Sequence, residues 1–321
     1  MSRGRTVLDV RLKPVMGSRF QPTGFPDLGH AEFIRPDEDG DVRCLLVESA
    51  QSMANHLEGA AWDDVDQRPA DVFTGLPYVR VVDGAGRYVT SSRTEAHRLA
   101  SAFIKGSTSG GDDMLQILKE RMALENDVPL DHRHIAKAVF RLDPFALIHG
   151  VFFADNKLPG QPKIARALTS CVEAHHVNRA ESGGVKKDHV RHAIDEGSGG
   201  SSEGYGSVPF ARTEWTAKEI VAYFVLDRSQ LKSYGLGDEG AGLLETIALW
   251  EIRALLDEGL RLRTACDLEP VSSLIVDSNG VPLPSFDELS DRVVKGVSAC
   301  SGLLEGTEVM EVVWSGGKKS K

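Results

Sequence analysis

The sequence predicts an α+β fold, on three observations. Stretches with a two-residue hydrophobic period are interleaved with stretches of helical period. The loops between them are too long for a tidy doubly wound parallel sheet. No repeat at a fixed period runs through the chain.

Taken in order, Thr6–Val15 alternates weakly and reads as a first strand. Arg19–Gly29 is too rich in proline and glycine for a helix or a central strand and reads as an ordered loop. Val42–Val47 is a short apolar strand. Ala50, Met53, Ala54 and Leu57 then fall at i, i+3, i+4 and i+7, one face of a helix whose other face carries Gln51, Ser52, Asn55, His56 and Glu58. Gly59 is placed to stop it. Tyr78–Val82 and Arg87–Thr90 flank Asp83-Gly84-Ala85-Gly86 and predict a hairpin. Asp112–Asn126, with acids at its positive dipole end, and Asp131–Leu142 read as helices. Ala146–Ala154 reads as a buried strand and Ala167–Val177 as another. Glu196–Ser207 is mostly Gly and Ser, so a mobile loop is expected.

Thr216–Asp227 is strand-like. Gly240–Glu258 is a helix in which Leu243, Ile247, Trp250 and Ala254 form a stripe widened by Leu244, Ala248 and Leu255, and Gly259 ends it. Leu260–Leu268 alternates as one strand, with Arg261 and Arg263 on the same face. A helix over Phe286–Cys300, a strand over Glu308–Trp314 and a frayed tail at 316–321 complete the chain.

Composition narrows the function classes. The 321 residues suffice for one large domain or two small ones. With 41% hydrophobic and 26% charged residues, wholesale disorder is not expected. Lys plus Arg number 37 against 47 Asp plus Glu, a net charge of -10, which argues against a surface that is basic all round but leaves room for a local basic groove. No run of eighteen apolar residues is present and Met1–Arg11 is mostly polar, so neither a membrane span nor a secretion signal is expected. Cys44, Cys171, Cys266 and Cys300 are far apart and form no CxxC pair, which disfavours zinc ribbons and disulfide scaffolds and fits a reduced, cytoplasmic setting.

Several motifs weaken on inspection. Gly235-Leu236-Gly237-Asp238-Glu239-Gly240 spells GxGxxG before a helix, the pattern of a dinucleotide-binding turn. Yet the preceding strand ends at Asp227, and Asp238 and Glu239 would place carboxylates where pyrophosphate should sit. His132-Arg133-His134 and His175-His176 lack partners at metal-ligand spacing, so no metal is expected. GxSxG and Walker A sequences are absent and no catalytic constellation or cofactor site stands out.

The remaining signal is cationic. Lys163, Arg166, Arg179, Lys186, Lys187 and Arg191 outnumber Glu173, Glu181 and Asp188 in one stretch of an acidic chain. Glu181–Lys187 sets the backbone N–H groups of Ser182, Gly183 and Gly184 beside two ammonium groups, which suits a phosphate backbone. Arg19 and Gln21 sit in the Pro/Gly loop, and Ser49, Gln51 and Ser52 at a helix start where amides attract anions. Each of these alone reads better as a solvated charge or a cap.

A set of segments in fixed order carries a resemblance. They are Arg19–Gly29 (RFQPTGFPDLG), Leu45–Asn55 (LLVESAQSMAN), Thr90–Arg98 (TSSRTEAHR), Asp143-Pro144 with Leu147–Phe152 (LIHGVF), Ser182–Asp188 (SGGVKKD), Val208–Phe210, Tyr234–Gly237 and Leu260–Leu268 (LRLRTACDL). Together, over roughly Leu8 to Glu269, the chain resembles the backbone subunit of CRISPR type I-G (formerly I-U) effector complexes, of the RAMP superfamily. The resemblance implies a modified ferredoxin-like (RRM-like) palm with inserted helical and β-hairpin elements. Residues 1–321 would then be a single domain, with palm elements near 6–58, 167–177 and 216–268 and inserted ones near 60–160. It implies an RNA-binding subunit that cuts nothing, polymerises in a helical filament along CRISPR RNA and presents it for pairing with target DNA, beside other subunits of the complex. The candidate RNA contacts are Arg19, Gln21, Gln51, Ser52, Arg93, Lys163, Arg166, Ser182, Gly183, Gly184, Lys186, Lys187, Arg261 and Arg263. No RNP-type aromatic motif is present, so base stacking in the usual RRM manner is not expected. Two rivals stay open: a metal-independent ribonuclease of the same superfamily acting through His97, His175 or His176, and a dinucleotide-binding oxidoreductase.

Overall fold

In the computed structural model, which describes residues 4–25, 29–38, 40–186, 208–306 and 309–316, the first alternating stretch forms β1 (Arg5–Pro14), burying Leu8, Val10 and Leu12 and turning Asp9 and Arg11 outward. β2 (Glu32–Arg35) pairs antiparallel with β3 (Val42–Glu48). Helix α1 (Ala50–Ala60) starts at Ser49, whose hydroxyl accepts from the Ser52 amide, and buries Met53, Ala54 and Leu57. Gly59 does not stop it; the helix runs one residue further and closes at Ala61, whose amide donates to the carbonyls of Glu58 and Gly59.

β4 (Trp62–Asp63) and β5 (Arg68–Pro69) make a short hairpin, and β6 (Val79–Val82) and β7 (Tyr88–Ser91) make the predicted one. Helix α2 (Met114–Arg121) is shorter than predicted at both ends. Asp113 is its N-cap, accepting from the Leu115 amide, and Ala123 leaves helical geometry at φ 52°. Helix α3 (His132–Phe140) is capped by Asp131, which accepts from the amides of Arg133 and His134.

The predicted strand Ala146–Ala154 is instead helix α4 (Phe145–His149) followed by a two-residue strand, Val151–Phe152. All five helical residues are buried, and an apolar run buried on every side has no periodicity to separate helix from strand. The Asp143 carboxylate decides the matter by accepting from the Phe145 amide, and Gly150 ends the turn at φ 81°.

β8 (Leu168–His175) leads into a ribbon of β9 (Asn178–Lys186) and β10 (Val208–Thr216), and β11 (Glu219–Asp227) follows. The predicted Thr216–Asp227 strand thus loses Thr216, which closes β10. The expected mobile loop, Glu196–Ser207, lies outside the described residues. Helices α5 (Arg228–Ser233) and α6 (Gly237–Glu258) come next; α6 begins three residues before the predicted start. Leu260–Leu268 is a hairpin rather than one strand: β12 (Leu260–Arg263) and β13 (Cys266–Pro270) join at Ala265, φ 63°. Helix α7 (Phe286–Ala299) and β14 (Met310–Trp314) close the described chain.

The main sheet runs β12-β13-β1-β11-β8-β3-β2, antiparallel throughout. Helices α1 and α6 pack together and against it. A second sheet holds Asp112–Asp113, Ser107–Ser109, β14, β6 and β7, with β14 and β6 parallel. One contiguous cluster of buried apolar side chains joins the two sheets.

Within this core lies a cluster of charges. Arg98 grips Glu58 at 2.7 and 2.6 Å and donates to the Gly150 carbonyl at 3.0 Å. Arg93 meets Asp143 at 3.0 Å, with its guanidinium 3.1 Å from the Phe145 ring centroid, and Ser92 donates to the other Asp143 oxygen at 2.5 Å. His149 Nε2 lies 2.9 Å from Glu251. None of the six charged or titratable residues is more than 5% exposed. Arg93 is therefore buried against Asp143 and Phe145, whereas the sequence reading makes it a candidate RNA contact.

Two arginines balance Glu58 and Asp143, so burial drives the remaining pair toward neutrality. It lowers His149 to about 4 and pushes Glu251 up to about 8. Burial thus favours the uncharged forms of both His149 and Glu251, which a hydrogen bond at Nε2 joins. Glu58→Gln removes the partner of a buried guanidinium and is expected to cost about 3–5 kcal/mol in urea unfolding. Glu251→Gln replaces one neutral hydrogen-bonding group by another and should cost less than about 1.5 kcal/mol. Equal losses for the two variants would mean that Glu251 is ionised in the core.

Candidate nucleic-acid interface

The start of α1 gathers most of the sequence-selected polar residues, and Glu48 is the reason. This last residue of β3 has a fully buried carboxylate. One oxygen accepts from the Thr23 hydroxyl at 2.8 Å and the Ser49 amide at 3.0 Å; the other holds the Arg263 guanidinium, with His56 at 3.9 Å. Burial alone would raise its pKa, but the nearby His56, the hydrogen bonds from Thr23 and the Ser49 amide and the charge of Arg263 outweigh that and hold it below the usual carboxylate range.

Backbone bonds fix the Pro/Gly loop against the same point. The Gln21 amide donates to the Ala265 carbonyl at 2.8 Å, the Thr23 amide to Val47 at 2.9 Å, and Phe20 exchanges two bonds of 2.9 Å with Trp215 of β10. From the other side, Arg166 donates to the Gln51 side chain. Its placement depends on Gly150: a Cβ there would stand 2.9 Å from the Ile164 carbonyl oxygen and 3.0 Å from the Arg166 nitrogen. Arg19, Gln21, Gln51, Ser52, Arg166 and Arg263 thus border one rim. The Ser52 amide is occupied by Ser49 Oγ at 3.3 Å, so Ser52 does not offer the free amide expected of it.

Arg19, at the rim, also has Glu214 at 3.5 Å. The other candidates are placed differently. Arg261 is exposed opposite Asp267 in the β12–β13 hairpin. Lys163 is exposed, its ammonium 5.7 Å from the Phe152 ring. Ser182, Gly183 and Gly184 form no loose loop: they pair with Arg212, Ala211 and Phe210 in the β9–β10 ribbon, where alternate amides turn outward. Lys186 ends β9, and Lys187 lies outside the described residues.

Thr23, Glu48 and His56, which organise the rim, were not singled out by sequence for that role. The one local hint is Glu48 itself, a carboxylate between an apolar strand and the Ser49 N-cap. At the root of the ribbon, Arg43 and Arg179 lie 5.3 and 5.5 Å from the Trp215 ring, and both bond Glu32. The sheet face opposite α1 and α6 carries Asp9, Glu173 and Glu219 beside Arg11, an unsuitable platform for a polyanion.

The dinucleotide motif finds no site. GxGxxG is preceded by helix α5 instead of a strand, which removes the tight turn that dinucleotide binding needs. His175 is 2% exposed, between Glu173 at 3.4 Å and Glu219 at 3.6 Å, and His97 caps a separate short helix. Among the described residues, no group of three or more His, Cys, Asp or Glu is arranged to hold a metal, and no helix is long and apolar enough to cross a membrane.

Two variants probe the rim. Because Glu48 is held below its ordinary pKa, it stabilises the fold at neutral pH, and that contribution is lost as acidification passes through the lowered pKa. Glu48→Gln should therefore unfold at lower urea near neutral pH and show a flatter loss of stability below about pH 4.5. A parallel downward shift at every pH would contradict this. Gly150→Ala, at positive φ with backbone atoms in the way, should cost about 1–3 kcal/mol; an unchanged urea midpoint would count against the close approach that seats Arg166.

Comparison with known proteins identifies a family. Residues 6–179, more than half of the chain, match the family model described as CRISPR-associated protein GSU0053 (Cas_GSU0053). Among solved structures, a chain of a "CRISPR RNA-guided surveillance complex, pre-nicking" is similar at 14% identity and a TM-score of 0.41, over 84% of this chain and 74% of that one. Csc2 of Thermofilum pendens is similar at 8% identity and a TM-score of 0.32, over 94% of this chain and 81% of that one. No curated protein matches. On the strength of the family match, the chain belongs to the CRISPR-associated protein GSU0053 family.

Proposed function

We propose that this protein is a CRISPR RNA-binding backbone subunit of a type I, Cascade-like interference complex, of subtype I-G. Copies line up along the guide RNA in the cytoplasm and present it for pairing with target DNA. The protein cuts nothing itself, and other subunits of the complex complete the antiviral response. One observation carries this reading: loop 19–23, the start of α1, Arg166 and the β12–β13 turn converge on a rim that bears Arg19, Arg166 and Arg263 in a chain of net charge -10. Such groups suit a ligand whose backbone must be gripped whatever its sequence.

The topology supports the palm assigned by resemblance. In chain order β1, α1, β8, β11, α6 and β13 follow a β-α-β-β-α-β course, and those four strands lie side by side as β13-β1-β11-β8. The acidic open face sets it apart from an RRM that stacks bases on its sheet. The grip belongs at the rim where α1 begins.

Arg19→Ala combined with Arg166→Ala should weaken binding of a repeat–spacer CRISPR RNA. It should also reduce the slope of log affinity against log salt by about 0.7 for each phosphate that is no longer neutralised. Fluorescence anisotropy across a salt series reads both quantities. Unchanged affinity and slope would remove the rim from the interface.

A further inference from the structure

The proposed filament requires two surfaces on each copy, and the structure offers a complementary pair made of residues other than those of the rim. A cavity of about 560 Å³ opens between the end of α2, the outer side of α3 and the start of α6. Arg121, His134, Lys137 and Arg141 border it, and all four are exposed. They are positioned as well as charged: Arg141 donates to the Leu303 carbonyl at 3.0 Å, and His134 Nε2 lies 3.1 Å from the Arg121 carbonyl. Among the described residues, Glu305 is the one acid in the lining. The floor is apolar, made by Phe140, Leu236 and Leu303.

The opposite character is found at the tip of the β4–β5 hairpin. Val65 there is 91% exposed, the highest value among the large apolar side chains described. The Asp63 carboxylate accepts from the amides of Val65 and Asp66 at 2.9 and 3.1 Å, which makes the tip a fixed turn. Arg68 pairs with Asp66 and Asp71, leaving Asp63 and the exposed Asp64 without an ion pair among the described residues. The tip is therefore acidic around one protruding apolar side chain.

We infer that the Asp63–Asp66 tip of one copy seats in the Arg121–Lys137–Arg141 cavity of the next, with Val65 on the apolar floor and the carboxylates against the cations. A phosphodiester backbone would satisfy the cations but has nothing for the floor, which favours this occupant over nucleic acid. Of the other acidic turns, the one at Asp37 and Glu38 ties Asp37 to Arg35 at 3.1 Å and carries no apolar residue between its acids, and the one at Glu125 and Asp127 carries Val128, 52% exposed against 91% for Val65. Because tip and cavity are different surfaces, the contact is head-to-tail, and repetition generates an open chain of copies instead of a closed dimer. This inference rests on the proposed function, since it supplies the contact by which copies would line up.

The test uses the full chain, a repeat–spacer CRISPR RNA and sedimentation velocity to count copies per RNA. The unaltered protein is expected to load several copies. Asp64→Lys and Lys137→Glu, each alone, should raise the concentration needed to add a second copy by about tenfold or more, with the first copy binding as before. The two reversals combined in one chain restore opposite charge across the contact and should recover multi-copy loading, which a folding defect would not do. Single variants that load like the unaltered protein would overturn the contact while leaving the filament reading intact. Loss of first-copy binding in Lys137→Glu without rescue by Asp64→Lys would make the cavity an RNA site and also overturn it. Failure of the unaltered protein to load more than one copy would overturn the contact and the filament reading together.

Discussion

Six buried polar side chains fasten the molecule together. Glu58 comes from α1, Arg93 and Arg98 from the segment after β7, Asp143 and His149 from the two ends of α4, and Glu251 from the middle of α6. Charges removed from water stabilise little in themselves; what they do is forbid every arrangement in which a partner is missing. Here that requirement fixes α1 against the sheet's helical layer and fixes the 91–98 segment beneath it. Apolar packing around them supplies the bulk of the stability, and the ion pairs specify the register in which it packs.

The rim inherits its geometry from this core. Gly150, whose carbonyl receives Arg98, is also the point where residues 164–166 approach most closely, so the interior cluster and Arg166 are placed by the same turn. Glu48 plays the matching part at the other end of α1, drawing in Thr23, Ser49 and Arg263. Surface cations that would otherwise sweep through many rotamers are thereby held near one line. The energetic logic is preorganisation: ordering achieved by the fold need not be supplied again by the ligand.

Much of the fold was legible in the sequence because it rests on local signals. Asp131 before a helical period marks α3, and the stripe from Leu243 to Ala254 marks α6. The misreadings have physical causes. Helix α4 is apolar on every side, so no period betrays it. The β12–β13 hairpin keeps burial in phase, with Leu260, Leu262, Cys266 and Leu268 all inward, because a bulge between Arg261 and Arg263 restores the parity that a two-residue turn alone would invert. At the site, residue types were legible and pairings were not. Arg93 and Arg19 look alike in sequence, yet Asp143 draws one into the core while the other stays at the surface. The partner that decides between these fates lies far along the chain, beyond the reach of local patterning.

The functional claim depends on RNA, and the most direct measurement is of what the protein carries. The chain would be produced in cells that also transcribe a CRISPR array, purified by size exclusion, and its nucleic acid extracted, sized and sequenced. The account expects a high-mass particle with RNA of uniform length containing array spacers. A nucleic-acid-free monomer that also ignores added CRISPR RNA would contradict it.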